Sequence, residues 1–560
     1  LHLHVGEEMQ MTNRIRRMGV WLAGMAAAAA VAACGDDGAG SAARPAAEPV
    51  EGADPGDDPS GAQAGAGGGC SSSVEARPGT AITKSGAVTG TKAGGVWTWK
   101  GIPFAAPPVG DLRWRPPAPA QCWDGERAAA AFGPKCPQLK EDGKVEGDED
   151  CLTLNVWAPE SASGAPVLVF LHGGGNTMGS ASDPFYDGSE LAARLGAVVV
   201  TVEYRLGALG FFAHASLDAE SSAKVSGNYG ILDQVAALSW VKDNIAAFGG
   251  APAKVLLFGE SAGAQDTLVH VASPLSKGLF SSAIVESGGV YKTTLSEGEA
   301  QMQTVVEAAG CGAAADVPAC MRGQSVQKLV AIDSAHGPLD RSKFRYSPLI
   351  DGHVLKGNAF DIISKGEHNR VPLVIGTNAD ETSRMAAKVA TAEEYEAAVK
   401  AQYGPFADQL LTRYPASAYP SPRTALVRLT TDVTWTCPAR QLARAAAQNQ
   451  DAPVYRYYFT WSAPGPGGAA LGATHGLELP FVFGTLETLQ SLSPTAADEA
   501  LSHAMQGYWS SLAASGEPTG AVAWPRYDVS TDPYIELGKA VAAKAGLATA
   551  QCDFIESIAN

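Results

Sequence analysis

Six short runs of β-branched and aromatic residues, each bounded by glycine, proline or charge, limit the possible folds of this 560-residue chain more than any other feature. Such runs predict buried strands, and helical patterns such as residues 233–245 lie between several of them. Strands separated by helices run parallel and are covered on both faces. The alternation therefore predicts an α/β fold with a mostly parallel central sheet flanked by helices. The runs are PVLVFL at 166–171, AVVVTV at 197–202, KVLLF at 254–258, SAIVE at 282–286, PLVI at 372–375 and VYRYYF at 454–459.

The first 34 residues have the layout of an export signal. A basic head with arginines between residues 14 and 17 precedes an apolar run, residues 20–33, that is too short to span a membrane. The sequence VAAC at 31–34 resembles a bacterial lipobox, which predicts lipidation of Cys34 and a lipid-anchored bacterial cell-envelope protein. The alternative is a plain secretion signal with an incidental cysteine. Because two glutamates lie ahead of the basic head, we expect translation to begin at Met11.

Residues 35–73 consist largely of small, polar and acidic residues, with no aromatic residue and only Val50 as a branched aliphatic. Such a segment cannot bury enough apolar surface to fold, so we expect a disordered linker. Residues 74–560 contain nearly all the aromatic residues and are long enough for one large core or two smaller ones. The formal net charge of −17 argues against a nucleic-acid partner, which would require a basic surface.

The sequence GESAG at 259–263 is the only G-x-S-x-G in the chain. A predicted strand runs directly into it and a helix-compatible segment follows, which is the strand-turn-helix setting of a nucleophile elbow. Glycine is needed on both sides because a Cβ there would clash with the strand or the helix. The pattern predicts that Ser261 is a nucleophile. Glu260 beside it either alters the field in the pocket or stabilises the helix N-terminus.

A serine hydroxyl is a weak nucleophile, so it needs a base and also donors that hold the oxyanion formed by its attack. The sequence HGGG at 172–175 directly follows a predicted strand, and its glycines let backbone N–H groups approach a substrate oxygen. A glycine triplet alone is usually a mobile loop, but its order relative to the elbow favours an oxyanion hole. His172 is expected to organise this backbone rather than to transfer protons.

Motifs in the order of one known family extend from Val88 to Cys552. They are GIPFA at 101–105 with PPVG at 107–110, EDCLTLN at 149–155, HGGG at 172–175, GNYGILDQ at 227–234 and GESAG at 259–263. In this series the chain resembles the carboxylesterase type B family. The resemblance implies that residues 74–560 form a single α/β-hydrolase domain.

The resemblance also implies roles for individual residues in the HGGG and GESAG motifs. Ser261 matches the family nucleophile. The oxyanion hole corresponds to the backbone N–H groups of Gly174 and Gly175 together with that of Ala262, which would open a helix whose dipole favours negative charge.

The acid and the base correspond to residues near the end of the chain. The acid matches Glu381 in GTNADET at 376–382, where Thr382 replaces the usual glycine and Asp380 is the alternative acid. The base matches His475 in GATHGLEL at 472–479. The resemblance implies a serine carboxylesterase that forms an acyl-enzyme, acts on small-molecule esters and needs no metal or organic cofactor. Its rate should fall below a pH near the ordinary histidine pKa, roughly 6.5.

Nine cysteines, without C-x-x-C or other metal-ligand spacing, agree with export to an oxidising compartment. Removing Cys34 leaves eight. The family resemblance suggests three disulfides, and the remaining Cys70 and Cys122 either pair with each other or stay free. The suggested pairs are Cys136 with Cys151, Cys311 with Cys320, and Cys437 with Cys552.

Two departures from the family bear on the substrate. Residues 137–150, which the first disulfide would enclose, contain no aromatic residue, whereas the choline esterases carry a tryptophan in this loop that holds quaternary ammonium. A choline ester is therefore not expected. Asn176 follows HGGG where the family commonly has an aromatic residue, which predicts a more open or more polar pocket.

Two other functions are compatible with parts of this pattern. The same catalytic residues could hydrolyse an amide or a thioester, and nothing in the triad separates these reactions. The fold is also used by non-catalytic adhesion proteins, but that branch typically lacks the nucleophile, and Ser261 and His475 are both present here.

Overall fold

The computed structural model of the protein describes residue 70 and residues 73–140, 142–334, 346–489 and 493–559. The predicted signal, Cys34 and nearly all of the predicted linker lie outside these residues. An eleven-stranded sheet forms the centre of the described part. All six predicted strands belong to it. In spatial order the strands are Ala542–Ala545, Pro533–Leu537, Val454–Phe459, Leu373–Asn378, Ser282–Glu286, Gly250–Glu260, Ala165–Leu171, Val198–Val202, Thr153–Pro159, Val96–Pro103 and Thr91–Ala93.

The strands from Pro533–Leu537 to Val198–Val202 are mutually parallel, and antiparallel strands flank them at both edges. Parallel strands need long crossover connections, and helices make these connections here. The predicted fold class, a mostly parallel sheet flanked by helices, is therefore confirmed. This arrangement brings the carboxyl ends of adjacent strands to one edge, where sites of α/β proteins usually form.

Both faces of the central sheet are buried. In Ala165–Leu171, Val167 and Val169 pack into one apolar cluster, while Leu168 and Phe170 pack into another cluster on the opposite face. Side chains alternate between faces along a strand, so a run that is apolar at every position can only belong to a sheet covered on both sides. This is why the predicted strands are continuous apolar runs.

The α-helices vary from short turns to the long Ala496–Ser515. The helix Ala262–Ala272, here called the nucleophile helix, follows the strand Gly250–Glu260. The other α-helices are Ser189–Leu195, Gly207–Phe211, Ala215–Glu220, Tyr229–Asn244, Leu295–Ala308, Val317–Arg322, Val326–Ser334, Ala359–Ser364, Ala392–Tyr403, Ala407–Arg413, Pro422–Thr431, Cys437–Asn449, Gly465–Leu471, Leu479–Phe483 and Thr549–Ala559. Among the described residues, no helix has the length and apolar character needed to cross a membrane.

Two small sheets accompany the central one. One contains the strands Thr80–Thr83, Gly86–Thr89 and Glu126–Ala128. The other is a hairpin of Gln138–Leu139 and Val145–Glu146, and it lies within the loop closed by Cys136 and Cys151.

The described residues form four disulfides. Three are the pairs suggested by the family resemblance, Cys136–Cys151, Cys311–Cys320 and Cys437–Cys552. The fourth joins Cys70 to Cys122, which resolves the open alternative for these two residues in favour of pairing. Disulfides persist in oxidising compartments, so the four bonds indicate an exported protein.

Candidate active site

Ser261 occupies a sharp turn between the strand Gly250–Glu260 and the nucleophile helix. It has a φ of 56°, in a region that L-residues rarely adopt, and it is 5% exposed. A Cβ on Gly263 would lie 2.0 Å from the carbonyl oxygen of Leu171, and a Cβ on Gly259 would lie 2.5 Å from Gly263. Both flanking positions therefore require glycine, as the sequence predicted. The turn is the strained elbow that presents a serine at the edge of the sheet.

His475 and Glu381 meet at the same edge. His475 Nδ1 lies 2.6 Å from Glu381 Oε2, and both side chains are buried. Glu381 Oε1 accepts hydrogen bonds from the backbone N–H of Asn378 at 2.7 Å and from the hydroxyl of Ser287. These contacts orient the carboxylate to accept a hydrogen bond from His475 Nδ1–H, which leaves Nε2 as the nitrogen that can exchange a proton.

Asp380, the alternative acid, has a different task. Its Oδ2 accepts a hydrogen bond of 3.0 Å from the backbone N–H of Ala473, and its own N–H donates to the carbonyl of Ala473. A Cβ on Gly472 would lie 2.1 Å from Asp380 Oδ2. Asp380 thus holds the start of the loop that carries His475, residues 472–478, here called the histidine loop, while the neighbouring Glu381 faces the imidazole.

The predicted oxyanion loop, residues 172–176, lies against Ser261. A Cβ added to Gly173 would be 3.1 Å from Ser261 Cβ. Gly174 and Gly175 have φ values of 115° and 63°, and a Cβ on Gly174 would lie 2.0 Å from the carbonyl oxygen of Met178. Glycine is thus required for this backbone path. Ala262 is the first residue of the nucleophile helix, where an N–H has no partner within the helix.

His172 is buried behind this loop and serves its backbone. Nδ1 lies 2.8 Å from the carbonyl oxygen of Gly173, and the ring stacks on Tyr204 with centroids 4.4 Å apart. The hydroxyl of Tyr204 donates to the carbonyl of His172 at 2.6 Å. Burial lowers the pKa of His172 to about 4, so the ring is neutral near pH 7. These contacts are consistent with the predicted organising role.

Carboxylates surround His475. Glu260 Oε1 lies 3.1 Å from His475 Nε2 and Glu381 lies on the other side of the ring. Burial by itself lowers the pKa of His475, but the charges of Glu260 and Glu381 outweigh it and raise that pKa to about 9. Burial also raises the pKa of Glu260. The sequence predicts that Glu260 either alters the electric field in the pocket or stabilises the helix N-terminus. The contact with His475 favours the first role.

Several residues of this site were not predicted. Ser287, with a φ of 55°, follows the strand Ser282–Glu286 and holds Glu381. Trp435 packs on His475 with ring centroids 4.8 Å apart. Asn378 donates to the carbonyl of Thr474 at 3.0 Å and also to Glu478. The position of Ser287 directly after a strand was a usable signal, since strand ends converge at this edge.

A cleft of about 380 Å³ opens beside the candidate active site. Gly174 and Gly476 both line it, so it lies between the oxyanion loop and the histidine loop. Its wall is mostly apolar, with a polar edge contributed by the loop that Cys136 and Cys151 close. The apolar wall includes Met178, Phe185, Tyr186, Leu477, Leu479 and Leu489. The polar edge includes Gln138, Lys140, Asp142 and Glu146 from the loop, and Lys135 directly before it.

The prediction that Asn176 makes the pocket more polar is wrong, and the alternative, that it leaves the pocket more open, stays a prediction. Asn176 has no exposed surface and a φ of 56°, and its side chain points into a buried polar cluster. Its Nδ2 lies 3.0 Å from the hydroxyl of Tyr291 and 3.3 Å from Asp266 Oδ1. The amide turns away from the cleft because these two partners lie behind the loop.

Comparison with known proteins gives one consistent result. The model of the carboxylesterase family matches residues 77–555. Fumonisin B1 esterase from Sphingopyxis macrogoltabida is 41% identical over 80% of this chain and 84% of its own length. Para-nitrobenzyl esterase from Bacillus subtilis is 37% identical over 80% of this chain and 92% of its own. A solved structure of a PNB esterase superposes with a TM-score of 0.75 at 34% identity, covering 86% of this chain and all of that one.

Proposed function

The chain belongs to the carboxylesterase family and is a serine carboxylic ester hydrolase, and we propose that Ser261, His475 and Glu381 are its catalytic residues. The observation that carries this proposal is the bond between His475 and Glu381 at the sheet edge where the Ser261 elbow ends. Three residues far apart in the chain are brought to one edge, in the serine, acid, histidine order of α/β-hydrolases.

The proposed reaction is acyl transfer in two halves. His475 Nε2 takes the proton of the Ser261 hydroxyl while Oγ attacks the ester carbonyl, and the tetrahedral intermediate expels the alcohol, which receives that proton. Water then loses a proton to His475 and attacks the acyl-enzyme. The acid leaves and the proton returns to Ser261. Glu381 holds the imidazole and stabilises its cation in both halves.

We infer that the oxyanion is held by the backbone N–H groups of Gly174, Gly175 and Ala262. Two of these donors come from a loop with positive φ and the third from a helix N-terminus. Donors that are already aligned lose no free energy to reorganisation when charge develops, which is why such holes give a large part of the rate.

The substrate we propose is an uncharged ester with an apolar group that enters the cleft. Apolar side chains form most of the cleft wall. The loop closed by Cys136 and Cys151 contributes charged and polar groups to the edge and no aromatic ring, which does not favour a quaternary ammonium group.

We also propose that residues 1–34 direct export, that Cys34 carries a lipid anchor, and that residues 35–73 link this anchor to a catalytic domain of residues 74–560. The basic head, the apolar run and the VAAC sequence support the signal. Mass spectrometry of the N-terminal peptide from the membrane fraction tests the anchor, and a Cys34→Ala variant should release the protein from that fraction.

Hydrolysis of p-nitrophenyl esters from acetate to palmitate tests the function, with wild type beside Ser261→Ala. We expect the mutant to lose turnover completely while its unfolding temperature is unchanged. The chain-length profile would define the acyl group that the cleft accepts. Parallel assays with p-nitroanilide and thioester analogues would show a preference for amide or thioester if the ester assignment were wrong. A folded wild-type protein without any acyl-transfer activity would favour a binding protein instead.

A further inference from the structure

The oxyanion loop has an anchor that its own glycines do not provide. Asn176 is the third consecutive residue with positive φ, after Gly174 and Gly175. This conformation is uncommon for a residue with a side chain, and asparagine tolerates it better than most. The carbonyl of Asn176 accepts a hydrogen bond of 2.7 Å from the N–H of Gly207. Its side-chain amide reaches Tyr291 and Asp266.

Asp266 connects this anchor to the nucleophile. It lies in the nucleophile helix, which begins directly after Ser261, and it has no exposed surface. Its Oδ1 lies 3.3 Å from Asn176 Nδ2 and 3.3 Å from the hydroxyl of Tyr291. Its Oδ2 accepts a hydrogen bond of 2.7 Å from Gln234 Nε2.

A chain of hydrogen bonds supports the far side of Asp266. Gln234 Oε1 lies 2.9 Å from His270 Nε2, and His270 Nδ1 lies 2.7 Å from the hydroxyl of Ser276. Burial lowers the pKa of His270 to about 3, so the ring is neutral and donates through Nε2. These hydrogen bonds end at the two side-chain oxygens of Asp266. Burial raises the pKa of Asp266 to about 7, and the hydrogen bonds that its oxygens accept oppose this rise. A buried carboxylate with several donors has few other positions available to it.

We propose that Asp266 and Asn176 are positioning residues that fix the oxyanion loop relative to Ser261. Asp266 belongs to the nucleophile helix, and its contact with Asn176 joins this helix to the oxyanion loop. The N–H groups of Gly174 and Gly175 are thereby held in a fixed position relative to the N–H of Ala262, at the start of the same helix. This inference rests on the proposed function. It accounts for the buried amide of Asn176, which does not line the cleft.

The test uses the full-length protein and the variants Asn176→Gly, Asp266→Ala and Asp266→Asn. Glycine keeps the positive φ of residue 176 without strain and removes the side-chain amide, although it also makes the loop backbone more flexible, and the Asp266 variants remove the same contact without that change. We expect kcat for p-nitrophenyl acetate to fall about 10- to 100-fold while KM changes less than about 3-fold. A misplaced N–H donor stabilises the transition state less, while it hardly affects binding of the substrate. Affinity for a trifluoromethyl ketone, whose serine adduct carries an oxyanion, should fall by the same factor. Asp266→Asn, which retains one acceptor for Asn176, should recover part of the loss.

Asn369→Ala is the matched control. Asn369 donates to the carbonyls of His270 and Ser273, at the opposite end of the nucleophile helix. This variant should lower the unfolding temperature as much as Asn176→Gly does, with kcat and inhibitor affinity unchanged. If Asn176→Gly left kcat and inhibitor affinity at wild-type values, the proposal would be wrong even if Asp266→Ala failed to fold. Activity retained by Ser261→Ala would instead overturn the proposed function itself.

Discussion

His475 and His172 lie in the two loops that border the cleft, and both are buried, yet their pKa values move in opposite directions. The pKa of His475 is raised to about 9 and that of His172 is lowered to about 4. Removal from water disfavours the charged ring in both cases. The difference lies in the carboxylates that face each ring.

His475 has Glu381 at 2.6 Å and Glu260 at 3.1 Å. The carboxylate nearest to His172 is Glu203, whose Oε2 lies 3.8 Å from Nε2. Burial raises the pKa of Glu203 to about 8, so this group is uncharged near pH 7 and does not stabilise an imidazolium. Burial therefore does not by itself decide what a histidine does. Oriented carboxylates raise the pKa of His475, the ring that we propose as the base, and without such a charged partner His172 stays neutral near pH 7.

The largest expected effect separates the two histidines by their role in the reaction. His475→Ala should lower kcat by about 10⁴-fold or more, since the base is lost. His172→Asn, which retains a donor for the carbonyl of Gly173, should lower kcat less than about 100-fold. Steady-state kinetics with p-nitrophenyl acetate measure both. Equal losses of kcat in the two variants would contradict the assignment of His475 as the base and of His172 as a structural residue.

The next effect distinguishes two adjacent carboxylates. Glu381→Gln should lower kcat by about 10³- to 10⁴-fold, because the amide no longer selects the Nδ1–H tautomer of His475. Asp380→Asn should lower kcat about 10-fold or less, since Asp380 holds only the backbone of Ala473. The opposite ranking in the same assay would make Asp380 the catalytic acid.

A smaller effect concerns folding stability and the neutral ring of His172. The folded-state pKa lies below the ordinary value of 6.5, so between pH 6.5 and 4 the unfolded state binds the extra proton. This contribution to stability is fully present above pH 6.5 and decreases as pH falls. From pH 7.5 to 5 the loss is about 2 kcal/mol. Urea unfolding of wild type and His172→Asn at both pH values measures it. The variant should lose less stability on acidification, and identical losses would show that the ring is already charged in the folded state.

The smallest effect concerns the pH profile of the base. Glu260→Gln removes one of the charges that raise the pKa of His475, so the acid limb of kcat/KM should move to lower pH by about one unit. In wild type that limb should lie above the value of roughly 6.5 expected from the sequence, because the neighbouring carboxylates raise the pKa of His475 and the base must lose its proton to act. A limb at the same pH in both proteins would mean that Glu260 does not influence the base.

Much of this site was predictable because its signals are local. The elbow at Ser261 requires glycine at 259 and 263 for reasons of backbone space, and those contacts lie within a few residues of the motif or on the neighbouring strand. Continuous apolar runs marked the buried strands, since both faces of a parallel sheet are covered. Chain separation alone does not specify the partner of a cysteine, so the sequence does not predict the pairing of Cys70 with Cys122, 52 residues apart.

The sequence alone determined the order in which the candidate site residues follow one another along the chain. A glycine loop comes first, then the serine elbow, then an acid and then a histidine, each near the end of a predicted strand or in the loop after it. Only the tertiary structure decided which of two adjacent acids faces the imidazole, where the amide of Asn176 points, and that Ser287 and Glu260 adjoin the catalytic groups. Side-chain direction at a strand end depends on the turn that follows and on partners from distant segments. Those partners come within hydrogen-bonding distance only when the sheet is assembled.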